Sequence, residues 1–164
     1  CTSPSYEGEA AILLEAAIGE SPQPQDAQPA EAAAPYEIAI TKNTATEAST
    51  AQDTSVLLLD AAPAFAALLD DLAAGVAVPT IARRFHDAFV EAIVACAELV
   101  RGLYDIGTVA LSGGVFMNRY LMERALPRLE AQGFTVAINR DLPPNDGCIS
   151  LGQAVVTWAK TSGA

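Results

Sequence analysis

The stretch Val109-Ala-Leu-Ser-Gly-Gly-Val-Phe-Met-Asn118 decides the fold of this 164-residue chain. It begins as an apolar run of strand length, and its double glycine predicts a tight turn before a helix that starts at Asn118. A strand over residues 134–138 and a helix over residues 147–160 follow. Strands that alternate with helices are typical of a parallel sheet covered by helices, so we predict an α/β fold.

The double glycine also permits a ligand-binding function. Without a Cβ, Gly113 and Gly114 let the backbone come close to a ligand, and the start of the next helix offers N–H donors to a phosphate or a carboxylate. The alternative is an ordinary strand-to-helix turn, because short glycine motifs occur by chance. The turn alone does not decide between the two.

A second glycine-centred loop, Pro143-Pro-Asn-Asp-Gly-Cys-Ile-Ser-Leu-Gly-Gln-Ala154, leads into the last predicted helix. Its two prolines stiffen the approach, and Asn145 or Asp146 can cap the helix. A carboxylate held at the edge of a parallel sheet is also a good ligand for a hard cation. Asp146 is therefore predicted to be a helix cap, a metal ligand or both.

Upstream of these loops the sequence predicts three helices and two short strands. The helices cover residues 6–17, 60–74 and 79–102, and the strands cover residues 36–40 and 55–59. Asp60 is the predicted cap of the second helix, while Gly19, Gly75 and Gly102 are the predicted helix ends.

Residues 20–53 differ in composition from the rest of the chain, since they are rich in Pro, Ala, Gln, Thr and Glu. Such a segment buries too little apolar surface to offset its ordering entropy unless its short strand pairs. We predict a flexible insertion over 20–53 within a single domain that covers residues 1–164.

Charge and cysteine content narrow the class of protein. The net charge of −11 argues against nonspecific binding to nucleic acid, which needs clustered Lys and Arg. Three cysteines without CxxC spacing favour a reducing compartment, and the sequence has no apolar run of the ~18–20 residues that span a bilayer. We expect a cytoplasmic protein without a membrane partner, and the absence of an initiator Met suggests that an upstream part has been removed.

The only histidine, His86, lies on the apolar-faced third helix beside Phe85 and Phe89. A hydrogen-bonded helix residue is the expected role for it, because one Asp and one distant His cannot complete a metal site. A GxSxG elbow is absent, and Cys148 has no neighbouring base in the sequence. The sequence therefore assigns no catalytic residue.

Four motifs occur in the order expected of one family. They are SYEGEAAILLE near the start, IARRFHDAFVEAI in the middle, SGGVFMNRYLMERALPRLEAQGFTV, and PPNDGCISLGQA. Together they resemble the C-terminal end of the hydrogenase maturation carbamoyltransferase (HypF) family, over nearly the whole chain except residues 20–53.

The resemblance implies a Kae-like domain, similar to the threonylcarbamoyl transferases that modify tRNA. One lobe of the fold shared by actin, sugar kinases and heat-shock chaperone ATPases is the implied architecture. The family uses ATP and carbamoyl phosphate to make carbamoyl adenylate, and it passes the carbamoyl group to a cysteine of a partner protein, HypE. The chain alone is expected to be inactive without its missing N-terminal lobe.

The resemblance also implies roles for individual residues. Ser112, Gly113, Gly114 and Asn118 would lie against the nucleotide, and Glu7 with Gly8 would lie near its ribose. Asp146 would bind a divalent metal of unknown identity, such as Zn, Fe or Mg. The family's metal site also uses two histidines spaced as HxxxH, and this sequence has no such motif.

Two other functions remain open at this point. The chain could be a noncatalytic module that docks a partner protein, for which the long segment 20–53 gives a reason. It could also be a lobe of a tRNA threonylcarbamoyl transferase, although Pro-Pro before Asn145-Asp146-Gly147 resembles the hydrogenase-maturation branch more.

Overall fold

The structure, a computed structural model, describes residues 4–19, 33–44 and 55–162. The chain divides into two compact units, residues 1–96 and 97–164. Helices and strands occur in both units, which agrees with the predicted α/β class. The predicted single domain over 1–164 and the assignment to one lobe of an actin-like fold stay predictions.

The first unit begins with helix α1, Glu9–Ala16. It starts later than predicted because Gly8 takes a left-handed conformation with φ 86°, which an α-helix cannot contain. Ser5 donates to Glu9 Oε2 from its backbone N at 2.5 Å and from its hydroxyl at 3.1 Å. Gly19, with φ 76°, ends the helical turn as predicted.

Two strands, β1 (Ala39–Thr44) and β2 (Ser55–Asp60), form an antiparallel pair. The register joins Ala39 to Asp60 and Thr44 to Ser55. The prediction of a strand at 36–40 was misplaced, because Tyr36 is buried by side-chain contacts described below and the ladder begins only at Ala39. Strand β1 lies inside the segment predicted to be flexible, and most of that segment falls outside the described residues.

Helices α2 (Ala62–Ala73) and α3 (Val78–Tyr104) follow. The prediction that Asp60 caps α2 was wrong about the position, because Ala61 is the N-cap residue and has no side-chain cap bond. Asp60 Oδ1 instead accepts from Ala62 N, the first N–H of the helix, at 2.9 Å. Gly75, with φ 76°, follows the end of α2 as predicted. The predicted end of α3 at Gly102 was wrong, because the helix continues to Tyr104 and Asp105 takes the left-handed conformation with φ 55°.

The core of the first unit joins α2 and α3 to the approach to β1. Its buried members are Tyr36, Ala64, Ile81 and Ala88. Tyr36 donates to Asp71 Oδ2 at 2.6 Å, and Arg84 pairs with the same carboxylate while its guanidinium lies 4.2 Å from the centre of the Tyr36 ring. Arg84 Nε also donates to Ala34 O at 2.7 Å. These bonds fix residues 34–36 on the two helices.

The second unit contains, in order, β3 (Thr108–Leu111), α4 (Arg119–Ala131), β4 (Thr135–Ile138) and α5 (Ile149–Ser162). Strands β3 and β4 are parallel, with Thr108 opposite Thr135 and Leu111 opposite Ile138. The predicted alternation of strand and helix is confirmed for this unit, and its described sheet has two strands.

Helix α4 contributes most of the buried side chains of the second unit. Tyr120, Leu121, Ala125 and Leu129 are buried, at the helical spacing of three to four residues. Arg101, on the last turns of α3, lies over the Phe134 ring at 4.1 Å and donates to Gln132 O at 2.8 Å. The turn from α4 to β4 is thereby held against α3.

Candidate functional site

The double-glycine loop follows β3 directly. Gly113 has φ 104° and ψ 162°, a conformation that is essentially restricted to glycine. Residues Gly114–Met117 then form a 3-10 turn, and Ser112, Gly113 and Gly114 are all exposed. The predicted tight turn is therefore present, and it leaves its backbone accessible to solvent.

Asn118 joins this loop to α4. Its side-chain Oδ1 accepts from Leu121 N at 2.9 Å, which makes it the N-cap of the helix. The predicted helix start at Asn118 is confirmed. The cap occupies the side-chain oxygen, so a contact with a nucleotide through the same residue would use its amide NH₂ or its backbone.

The second loop ends in a 3-10 turn, Asp146–Cys148, that runs into α5. Asn145, not Asp146, caps this turn, because Asn145 Oδ1 accepts from Gly147 N at 3.1 Å. The prediction that Asp146 is the cap was wrong: Asn145 has the extended backbone of a cap residue, while Asp146 already lies inside the turn. The Asp146 carboxylate is exposed.

The two loops are bonded to each other. Gly113 N donates to Pro144 O at 2.7 Å, and Asn145 Nδ2 lies 3.1 Å from Met117 Sδ. Pro144 O and Met117 Sδ could not be predicted as partners from the sequence, since no sequence motif marks a main-chain acceptor or a thioether. The pair of contacts brings Ser112–Asn118 and Asp146 into one site at the ends of β3 and β4.

The glycines of the site differ in the space around them. A Cβ at Gly114 would meet no atom within 4 Å, so the loop itself does not require glycine there for packing. A Cβ at Gly147 would lie 3.1 Å from Asn145 Oδ1, so a larger residue there would require the cap side chain to shift. Open space beside an exposed loop backbone is what a ligand that approaches Gly114 would need.

Comparison with known proteins identifies the family. Residues 1–153 match the family described as "Carbamoyltransferase, Kae1-like Domain, second subdomain". The chain belongs to this family. The resemblance that the four sequence motifs indicated is thereby confirmed.

Relatives within the carbamoyltransferase family are much longer. The chain is 39% identical over 89 residues to the Carbamoyltransferase HypF2 of Cupriavidus necator, in a match that covers 54% of this chain and 11% of that protein. It is 41% identical over 73 residues to the Carbamoyltransferase HypF of Synechocystis sp., which covers 44% of this chain and 9% of the relative. The matched part is thus about a tenth of each relative.

Two solved structures share the fold. The crystal structure of full-length HypF in the phosphate- and nucleotide-bound form covers 96% of this chain with a TM-score of 0.75 and 32% identity. The crystal structure of T. kodakarensis HypF covers 98% of it with a TM-score of 0.66 and 23% identity. This chain spans 18% of the length of each.

The motif SYEGEAAILLE near the start of the chain lies in the first unit, whereas the two loops lie in the second. Glu7 and Gly8 are exposed, and Gly8 O accepts from Ile12 N at 3.0 Å in the first turn of α1. The double-glycine loop belongs to the other unit, and the approach of Glu7 and Gly8 to a ribose beside it stays a prediction.

A metal site does not assemble from the residues that the structure describes. No group of three or more His, Cys, Asp or Glu is placed to hold an ion in that part of the chain. His86 is buried, and its Nδ1 donates to Ala82 O at 2.8 Å, so the expectation of a hydrogen-bonded helix histidine is confirmed. Asp146 can contribute one ligand, and we derive no chemical step through a metal.

The described cysteines carry no disulfide. Cys96 and Cys148 are free thiols, and burial raises the pKa of Cys96 above its usual value, which leaves it protonated at neutral pH. In the described ranges, no helix is long and apolar enough to cross a bilayer.

Proposed function

We propose that this chain supplies the nucleotide-facing part of an ATP-dependent carbamoyltransferase of the HypF type. The observation that carries the proposal is the bond between Gly113 N and Pro144 O, which holds two exposed glycine loops together at the ends of two parallel strands. Ligands of open α/β sheets bind at the carboxyl ends of the strands. A relative that is 32% identical has been crystallised in a phosphate- and nucleotide-bound form, which supports the proposal.

The loop backbone would hold the phosphates. The first N–H groups of a helical turn have no partner inside the turn, so those at the start of Gly114–Met117 are suited to bind phosphate oxygens. Gly113 and Gly114 carry no Cβ that would keep an anion away from these donors. Ser112 adds an exposed hydroxyl at the entrance of the loop.

The reaction would proceed in two transfers. Carbamate, which forms when water hydrolyses carbamoyl phosphate and phosphate leaves, attacks the α-phosphorus of ATP through an oxygen, and the bond from that phosphorus to pyrophosphate breaks. The product is carbamoyl adenylate, a mixed anhydride. A thiolate of an acceptor protein such as HypE then attacks its carbonyl carbon, and AMP leaves. The contribution of this chain is to position the phosphates and to exclude water, which is catalysis by proximity and electrostatics.

The wider assignment follows from the family. The proposal includes hydrogenase maturation as the pathway. It also includes the acceptor protein and a divalent metal bound at Asp146. We also propose that the parallel pair β3–β4 belongs to one lobe of an actin-like fold. The chain supplies one lobe only, so we expect no turnover from the chain alone.

The test is calorimetric titration of ATP into the chain with the missing lobe supplied in trans. Gly114→Val should abolish binding, because its side chain would fill the space beside the phosphate donors, and its Cβ meets no protein atom within 4 Å. Gly107→Val is the matched control, since a Cβ there also meets no atom within 4 Å and lies before β3. Equal ATP binding by the wild type and Gly114→Val would reject the loop assignment.

A further inference from the structure

Arg140 lies at the same edge of the sheet as the double-glycine loop. Strands β3 and β4 are parallel, and their last residues, Leu111 and Ile138, are opposite each other. Neighbouring strands lie about 5 Å apart, so the chain leaves both strands side by side. Gly113 is the second residue after β3, and Arg140 is the second residue after β4.

The segment that carries Arg140 is tied to this loop at both of its ends. At one end Ile138 pairs with Leu111, and at the other Pro144 O accepts from Gly113 N at 2.7 Å. Two residues of chain span at most about 7 Å, which limits the distance from Ile138 Cα to Arg140 Cα. The exposed side chain of Arg140 therefore starts within reach of the double-glycine loop.

Arg140 is also the only basic residue in these parts of the sequence. Residues 112–118 contain no charged side chain, and the charged residues within 139–154 are Arg140, Asp141 and Asp146. The N–H groups of the loop offer only partial positive charges to a phosphate chain, and the two carboxylates repel it. A full positive charge beside the loop has to come from Arg140 or from outside these residues.

The other basic side chains of the second unit are engaged or lie elsewhere. Arg119 follows the loop directly, but its Nε donates to Glu123 Oε1 at 2.5 Å within α4. The remaining four lie on helices, away from the loop in sequence: Arg101, Arg124, Arg128 and Lys160. Within the described ranges the Arg140 side chain takes part in no hydrogen bond or ion pair, so its five N–H donors are available.

We propose that the Arg140 guanidinium binds the phosphate chain of the nucleotide held by the double-glycine loop. The proposal rests on the proposed function, because it needs a phosphate at Gly113 and Gly114. A guanidinium can donate two parallel N–H bonds to one phosphate, and such charge-assisted bonds are stronger than those of neutral donors. The same charge offsets the Asp146 carboxylate across the second loop.

The experiment compares ligands with and without phosphate. ATP, adenosine and pyrophosphate are titrated calorimetrically into the chain with the missing lobe supplied in trans, at low ionic strength, where exposed charges are screened least. Arg140→Met should weaken ATP binding by at least about tenfold and leave adenosine binding unchanged, because only ATP loses charge-assisted bonds. Arg140→Lys should recover part of the loss, since it keeps the charge without the planar fork of donors.

Lys160→Met is the matched control. Lys160 is also an exposed cation of the second unit, but it lies near the end of α5, so its removal should leave ATP affinity unchanged. An equal loss in both variants would overturn the proposal, because net charge alone would then explain it. Unchanged ATP affinity of Arg140→Met would overturn it directly. Weaker adenosine binding by Arg140→Met would do so as well, because Arg140 would then act on the structure of the loop.

The pyrophosphate titration separates this proposal from the proposed function. A wild-type complex that binds pyrophosphate through Arg140 but does not bind ATP would reject the nucleotide assignment and leave the phosphate contact standing. ATP binding that Gly114→Val abolishes and Arg140→Met leaves intact would keep the proposed function and reject the role of Arg140. Binding of neither ligand would reject both.

Discussion

The two units of this chain differ sharply in charge. Residues 97–164 contain six basic and six acidic side chains, so the net charge of −11 comes entirely from residues 1–96. The loop proposed to hold the nucleotide, Ser112–Asn118, and the loop that carries Asp146 both lie in the neutral unit, whereas Glu7 and Gly8 lie in the acidic one. The excess of negative charge that the overall composition shows is therefore absent from the unit that carries these loops.

The units also differ in the contacts that stabilise their folded structures. The first unit is pinned by a polar cluster, in which Tyr36, Arg84 and Asp71 bond to one another beside the core. The second unit depends on the apolar face of α4, and it leaves α5 uncovered. The predictions below test this division, and hydrogen exchange of separate peptides can follow each unit in the same sample.

The largest effect is expected in the core of the second unit. Leu129 has 0% exposure, and Leu129→Ala should lower the free energy of unfolding by about 2–5 kcal/mol, since it leaves a cavity. Exchange should accelerate in α4 and β4 more than in α2. Leu126→Ala, on the half-buried side of the same helix, should cost clearly less. Equal loss of protection in α2 would show that the units unfold as one.

Gly113→Ala should cause the next largest loss of stability. With φ 104° and ψ 162°, an L side chain at this position is strained, so we expect a loss of about 1–3 kcal/mol measured by urea denaturation. Gly114→Ala is the control, because Gly114 has neither a positive φ nor a neighbour for its Cβ. If both variants were equally stable, the conformation of the loop would differ from the one described.

Tyr36→Phe tests the polar cluster of the first unit. It removes the donor to Asp71 but keeps the ring under the Arg84 guanidinium, and Asp71 retains its ion pair, so a loss of about 1–2 kcal/mol is expected. Peptides of α2 and β1 should exchange faster, while those of α4 stay unchanged. Tyr104→Phe serves as the control, since Tyr104 is 58% exposed.

The same hydroxyl predicts a mild dependence of stability on alkaline pH. Burial and the bond to Asp71 raise the pKa of Tyr36 from 10.0 to about 12. Because the folded pKa is the higher one, the contribution is complete below pH 10 and is lost as the pH rises towards 12. Tyr36→Phe should flatten this decline in denaturation curves between pH 9 and about 12. An unchanged slope would contradict the assignment.

Much of the second unit could be predicted from the sequence because its signals are local. Three apolar residues before Ser112 and a glycine pair after it predict β3, the turn and the start of α4 without knowledge of distant contacts. The choice between Asn145 and Asp146 could not be predicted. Both residue types cap helices, and the outcome depends on which of them has the extended backbone.

Features that depend on distant contacts were predicted less well, in both units. Tyr36 alternates with apolar neighbours like a strand residue, yet its bonds to Asp71 and Arg84 hold it before the ladder that starts at Ala39. Gly102 reads as a helix end, but α3 continues past it beside the contacts that Arg101 makes with Phe134 and Gln132. The contacts between the two glycine loops could not be predicted either, because they connect residues that are distant in the sequence.

The bond from Gly113 N to Pro144 O has an evolutionary consequence, because both atoms belong to the main chain. Substitution of the Pro144 side chain leaves its carbonyl oxygen in place, so point mutations can accumulate there without separating the loops. A change in the number of residues between β4 and α5 would instead move the oxygen away from its donor. Homologues that keep this site should therefore tolerate changes of residue type in residues 139–145 far better than insertions or deletions.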